Sequence, residues 1–242
     1  MVNHLFDTHF HLDLFDSQEE ILREIEVNQI YTIAVTNLPV LFTKLKDSLS
    51  SKFIRPALGF HPELLSQYNH HIPQMWRLLN ETRYIGEVGL DFKTGKDFKE
   101  LQISFFTELI ERCNIFGDKI LTIHSRQSAS EIVSIIGAGF KGKVILHWYS
   151  GNKTTLKKAI DNGYYFSINY SMVNSNTSKE LIKLIPLERL LLETDAPFIR
   201  FNNKPFSMLG IKDIVKELAF VLKLDQLDMT TILWTNFKTL IK

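Results

Sequence analysis

The sequence predicts an α/β protein folded as a single (β/α)8 TIM barrel spanning residues 1–242. Three observations lead there. Eight short apolar, β-rich runs alternate with longer segments of helical spacing. Several of the runs are almost continuously apolar, the pattern of parallel strands buried on both faces. The length suits one α/β barrel, and no Gly/Ser/Pro-rich linker, low-complexity tract or charge block marks a boundary. A doubly wound open sheet is the rival architecture and usually has fewer strands.

In chain order the runs are Leu5–His11, Ile30–Thr36, Ile54–His61, Tyr84–Leu90, Ile120–His124, Val144–His147, Tyr164–Ile168 and Leu190–Glu193. Helical segments fill the intervals. Ser17 before Glu19 and Glu20, and Asn152 before Thr154, read as helix N-termini. Within Phe98–Phe116, Leu101, Phe105, Leu109 and Cys113 recur every four residues and form one apolar stripe. Gly210–Leu222 and Leu227–Ile241 are the last two helices.

The chain carries 28 Lys+Arg against 27 Asp+Glu, a net charge of +1. That balance excludes a domain-wide basic footprint for duplex DNA, though not a grip on a few phosphates. The one cysteine, Cys113, excludes a disulfide scaffold and a Cys-rich zinc site. It lies on the apolar stripe and reads as core. Neither a secretory signal nor a membrane-spanning run is legible, so a cytoplasmic protein is expected.

The eight histidines matter more than the charge. In a (β/α)8 barrel the chemistry lies at the C-terminal ends of the strands, and most of this chain's unusual polar residues fall there. The runs end in Asp7-Thr8-His9-Phe10-His11, Gly59-Phe60-His61-Pro62, Gly86-Glu87-Val88-Gly89-Leu90-Asp91, His124-Ser125-Arg126, His147-Trp148-Tyr149-Ser150-Gly151 and Glu193-Thr194-Asp195-Ala196-Pro197. Alternation along a strand turns His9 and His11 to one side, with Phe10 opposite.

One strand-end histidine is ordinarily a satisfied core or cap residue. His9, His11, His124 and His147 together with Glu87 and Asp195 are hard to explain as packing. Buried imidazoles and carboxylates need partners, and a metal centre supplies them. Six donors exceed one tetrahedral site. Two ions bridged by Glu87 is the economical count, one held by His9, His11 and Asp195 and the other by His124 and His147. Ions about 3.5–4 Å apart suit hydrolysis, and no Gly-rich cofactor loop points elsewhere.

The ordered set Asp7-x-His9-x-His11, Gly59-x-His61-Pro62, Gly86-Glu87-x-Gly89-Leu90-Asp91, His124-x-Arg126, His147-x-x-Ser150-Gly151 and Glu193-Thr194-Asp195-x-Pro197, with Asn236 near the end, resembles the TatD-like metal-dependent DNases of the amidohydrolase superfamily. The resemblance implies a TIM barrel, two divalent ions (Mg2+ for activity, with Zn2+ or Mn2+ as alternatives) and 3′→5′ exonuclease or endonuclease action on DNA. It matches His9, His11, Glu87, His124, His147 and Asp195 to metal ligands, Asp195 also to the group that takes a proton from the attacking water, and His61 and Arg126 to contacts with substrate phosphate. Asp91 and Glu193 are expected just outside the ligands, with Glu193 facing the same side as Asp195. The plain alternative for Arg126 is a salt bridge to Asp91 or Glu193, and for His61 and Asp91 a loop cap.

Trp148, Tyr149 and Phe198 are candidates to stack on a base, and Lys93, Lys96 and Lys99 form a loose basic cluster. The segment Asn203-Lys204-Pro205 and the pair Trp148-Tyr149 depart from the family's usual wording. The wording Gly-Phe-His-Pro-Glu, Glu-Thr-Arg-Tyr-Ile-Gly-Glu and His-Trp-Tyr-Ser-Gly is similar to the TatD-type nuclease of Qat antiphage systems, which implies partner proteins of a defence complex. Two other functions fit the same constellation: hydrolysis of a small ester, amide or phosphoester, and a non-catalytic role within a complex.

Overall fold

The structure is a computed structural model, and it describes residues 4–201, 204–205 and 207–242. The main strands are β1 (Phe6–Phe10), β2 (Tyr31–Ala34), β3 (Ile54–Pro56), β4 (Tyr84–Gly89), β5 (Ile120–His124), β6 (Lys143–His147), β7 (Tyr165–Ile168) and β8 (Leu190–Leu192). The α-helices are α1 (Gln18–Asn28), α2 (Pro39–Ser48), α3 (Leu65–Tyr68), α4 (Ile72–Leu78), α5 (Lys99–Phe116), α6 (Ala129–Ile136), α7 (Lys153–Asp161), α8 (Tyr170–Asn174), α9 (Asn176–Ile182), α10 (Ile211–Leu222) and α11 (Gln226–Leu240). Each of the eight apolar runs contains a strand, and helices follow in alternation. Among the described residues no helix is long and apolar enough to cross a membrane.

The chain divides into two compact units. The first comprises Met1–Ala34, Ser50–Arg55 and Phe166–Lys242. Here β1 runs parallel to β2, with Phe6 opposite Tyr31 and Phe10 opposite Ala34, and β3 lies on the far side of β2. Strands β7 and β8 are also parallel, pairing Phe166 with Leu190 and Ile168 with Leu192. The Asp195 N–H donates to the His9 carbonyl (3.0 Å) and the His11 N–H to that of Ala196 (3.1 Å), which ties the chain after β8 to β1. Phe6 stacks on Phe237 of α11 at 4.5 Å. Asn236 spends its side-chain amide on the carbonyls of Leu187 (2.7 Å) and Leu190 (2.8 Å), anchoring α11 to the start of β8.

The second unit comprises Val35–Leu49 and Pro56–Tyr165. Strands β4, β5 and β6 are parallel neighbours, and Leu58 bridges in parallel to Ile85 of β4. Strand β5 is buried on both faces up to Ile123, and Ile120, Leu121 and Ile123 are apolar with Thr122 buried among them. Helix α5 buries Phe105, Phe106, Leu109 and Cys113 as one stripe, with Phe105 against Phe60 and Trp76. Leu101 is only partly covered, and the neighbouring Gln102 is buried instead.

The predicted helix starts are found. Asn152 caps α7, its side-chain oxygen accepting the Thr155 N–H at 2.8 Å. Ser17 sits at the N-cap of α1, yet its side chain makes no capping bond.

Candidate metal-ligand clusters

In the first unit three ligand candidates converge. His9 and His11 are fully buried. Their Nε2 atoms lie 3.2 Å apart, and each approaches Asp195 Oδ1, at 3.8 and 3.6 Å. This is the geometry expected of alternate residues on one strand face, with Phe10 turned away onto Phe15 at 5.3 Å. Two imidazole Nε2 atoms aimed at one carboxylate oxygen fit a cation between them.

Behind this group, Asp7 Oδ1 accepts the N–H groups of His9 (3.0 Å) and Thr194 (3.1 Å), and Oδ2 accepts the Thr194 hydroxyl (2.5 Å). These bonds fix the chain on either side of the ligands. Burial nevertheless pushes the Asp7 carboxyl from 3.8 up to about 7, against the lowering pull of the Thr194 and His9 bonds. Between those values the folded chain keeps a proton that the unfolded chain has released. Stability is therefore full below about pH 4 and falls as pH rises through 7, by about 4 kcal/mol. Asp7→Asn cannot ionise and should flatten that slope. Urea midpoints at pH 4, 5.5 and 7.5 in EDTA check it, and profiles parallel to wild type would refute it.

In the second unit one carboxylate oxygen gathers three imidazoles. Glu87 Oε1 lies 2.8 Å from His124 Nδ1, 3.1 Å from His147 Nε2 and 3.5 Å from His61 Nε2. His61, Glu87 and His124 form a group whose ligand atoms lie within 4.8 Å of one another. Such a set of imidazole and carboxylate donors suits Zn2+, Mn2+ or similar divalent ions. His61 also accepts the Glu63 N–H on Nδ1 at 3.3 Å, so it caps its loop while its Nε2 faces Glu87.

Asp91 likewise does two things. Its Oδ2 pairs with His124 Nε2 at 2.8 Å, while Oδ1 accepts the N–H groups of Lys93 (2.9 Å) and Thr94 (2.7 Å). Burial pushes its pKa up, but the His124 bond and these N–H donors outweigh that and bring it down to about 2. Burial lowers the His124 pKa, and the bonds to Asp91 and Glu87 more than restore it, so it ends raised. Asp91 thus holds His124 Nε2 and leaves Nδ1 turned to Glu87. Asp91→Asn keeps the loop acceptor and loses the charge, and metal affinity should fall about 10- to 100-fold by metal titration. Unchanged affinity would leave Asp91 as a loop cap only.

Sharp backbone turns follow three strands. Gln127, Trp148 and Asp195 have φ of 57°, 39° and 50°, in the left-handed region that non-glycine residues seldom adopt. The turn at Asp195 ends the strand alternation on which the same-side expectation for Glu193 rests. Glu193 bonds to the Ser167 hydroxyl and to Asn169 Nδ2 (2.8 Å).

Arg126 is exposed, and its guanidinium makes neither the salt bridge to Asp91 nor that to Glu193. Trp148 is partly exposed and Phe198 more so, its ring edge-on to His11 at 5.0 Å. Tyr149 is a correction: it is buried, with its hydroxyl donating to the Asn152 carbonyl at 2.8 Å, so it holds a loop and offers no stacking face. Lys99 lies over the Phe92 ring at 4.4 Å. Asn203, noted as a departure from the family, lies outside the described residues.

Four polar residues that bind the site candidates escape sequence reasoning. Thr194 binds Asp7, Ser167 and Asn169 bind Glu193, and Gln102 receives the Asp91 N–H on Oε1 at 2.8 Å. Thr194 stands in the Glu193-Thr194-Asp195 motif with no role assigned to it, and Gln102 leaves a trace as an amide beside the apolar stripe of α5.

Buried imidazoles and carboxylates at the ends of parallel strands define a class, the metal-dependent hydrolases. The family model described as TatD related DNase matches residues 6–242, and the chain belongs to that family, whose members hydrolyse phosphodiester bonds. The chain is 26% identical to the uncharacterized metal-dependent hydrolase YabD of Bacillus subtilis, covering 98% of this chain and 99% of that protein. It is 25% identical to the deoxyribonuclease TATDN3 of Homo sapiens, over 94% and 92%. The crystal structure of YJJV, a TatD homologue from Escherichia coli, matches with a TM-score of 0.86 at 20% identity, over 99% of this chain and 98% of that one. That likeness is one of fold, and it bears out the α/β class with parallel strands read from the sequence.

Proposed function

We propose that the protein is a cytoplasmic deoxyribonuclease that cleaves DNA, from the 3′ end, with two divalent ions, and that the chain is a single domain. The observation that carries this reading is Glu87, a buried carboxylate on whose Oε1 three imidazoles converge, a donor set suited to a divalent ion. His9, His11 and Asp195 would hold one ion and His124 and His147 the other, with Mg2+ the ion for activity and Zn2+ or Mn2+ able to take its place. Bound there, the ions would polarise the scissile phosphoryl group and make water acidic enough to attack it.

The chain's own residues do the rest. Asp195 takes the proton of the attacking water. His61 and Arg126 bind phosphate oxygens, where a guanidinium fork suits two oxygens better than an ammonium. Trp148 offers its exposed face to a base. Asp91 orients His124, and Glu193 braces the backbone before Asp195. The Qat-like wording of three motifs supports a place in antiphage defence beside partner proteins.

Digestion of end-labelled single- and double-stranded DNA and RNA in Mg2+, Mn2+ and Zn2+ tests the reading. Stepwise release of nucleotides from the 3′ end of DNA is the expected result. Intact DNA alongside hydrolysis of small esters or amides would move the protein to the amidase side of its superfamily.

A further inference from the structure

Within the second unit, a cavity of about 480 Å3 opens where the chain leaves β5 and β6. Ser125, directly after His124, and Ser150, three residues after His147, form part of its wall, together with Lys93, Arg126, Ser130 and Asn152. Its lining holds two cations, several hydroxyls and no carboxylate. Neither Lys93 nor Arg126 has a side-chain hydrogen bond or ion pair among the described residues, although Asp91 and Glu87 lie close along the chain and are engaged by His124. Cations that pass over nearby carboxylates and converge on a concave surface favour an anion. Helices α6 and α7 both begin at this wall, with Ser130 in the first turn of one and Asn152 capping the other, and their dipoles add to the same sign. Gly151 lets this wall pack closely on Tyr149, since a Cβ there would lie 2.4 Å from the Tyr149 hydroxyl.

We propose that this cavity binds a second phosphate of the nucleic-acid strand, one that is not being cleaved. Arg126, assigned above to substrate phosphate, serves this linkage together with Lys93 and the hydroxyls of Ser130 and Ser150, while His61 remains with the phosphate at the ions. The volume admits a phosphate with its sugar. The protein then grips a chain of at least two linkages, and a diester with a single phosphate forgoes this contact. The inference rests on the nuclease reading for the identity of the strand.

The test separates the two. Fluorescence anisotropy of a labelled tetrathymidylate is measured in EDTA, where cleavage plays no part. Lys93→Ala and Ser130→Asp, both at sites that are not buried, should each weaken binding about tenfold. The Lys93→Ala change should also lower the slope of log affinity against log salt by about 0.7, the value of one phosphate contact on a single strand, and Lys93→Arg should restore it. With metal added, both variants should hydrolyse bis(p-nitrophenyl) phosphate at the wild-type rate while KM for the tetranucleotide rises. Unchanged affinity and slope in both variants would overturn the proposal, as would equal losses on the single-phosphate diester. A wild-type protein that cleaves no nucleic acid would defeat the nuclease reading alone, because the EDTA titration still reads the cavity.

Discussion

Replacing Glu87 with alanine should abolish hydrolysis, by on the order of 10³-fold or more in kcat, while the chain still folds. The reason lies in what the carboxylate gathers. Its Oε1 is approached by His124, His147 and His61 at 2.8, 3.1 and 3.5 Å, so its removal leaves three imidazoles with no common anion. A correctly held ion contributes several kcal/mol of transition-state stabilisation, and each 1.4 kcal/mol is tenfold in rate. Metal stoichiometry, a cooperative melt in EDTA and turnover of a labelled DNA are the three measurements. A folded variant with wild-type turnover would sink the bridging role. Retained activity with only one ion bound would reduce the centre to a single metal.

A comparably large effect is expected at Gly59, this time on the fold. A Cβ added there would lie 1.6 Å from the Thr36 carbonyl oxygen, 2.6 Å from the Glu87 nitrogen and 2.7 Å from the Gly86 oxygen, all of them backbone. Those groups are not free to move. Thr36 donates to Gly86 and accepts from Glu87, both at 3.0 Å, and the Phe60 N–H donates to the Glu87 carbonyl at 3.0 Å. The methyl group has to separate strands that are hydrogen-bonded across it. Gly59→Ala should cost about 3–5 kcal/mol, which lowers Tm by roughly 10 °C or more in a chain of this size. Gly139→Ala is the control, since a Cβ there meets nothing within 4 Å. Equal melts for the two variants would refute the packing account.

The legibility of this chain follows from which physical signals are local. A strand buried on both faces is mostly apolar, so β5 and β6 read directly from Ile120–His124 and Val144–His147. A polar residue that ends such a run stands out, and so His9, His11, Glu87, His124, His147 and Asp195 could be named from sequence. What supports them could not. Asp7 and Thr194 are 187 positions apart, and a hydrogen bond between ordinary-looking polar residues leaves no periodic mark. Alternation carries less past Glu193. The two-residue period holds only while the backbone stays extended, and Asp195 leaves that region at φ 50° with no glycine to announce it. Beside Trp148, Tyr149 reads as a candidate to stack on a base; its hydroxyl instead closes the loop onto Asn152.

The lone thiol has a practical corollary. Cys113 is completely buried on α5, and burial pushes its pKa up to about 12. At neutral pH it is almost entirely in the unreactive protonated form and shielded from reagents. Modification therefore waits until α5 leaves its neighbours, and with a single cysteine in the chain every labelled molecule records one such opening. The native sequence thus carries its own kinetic reporter, readable by mass, with no engineered probe.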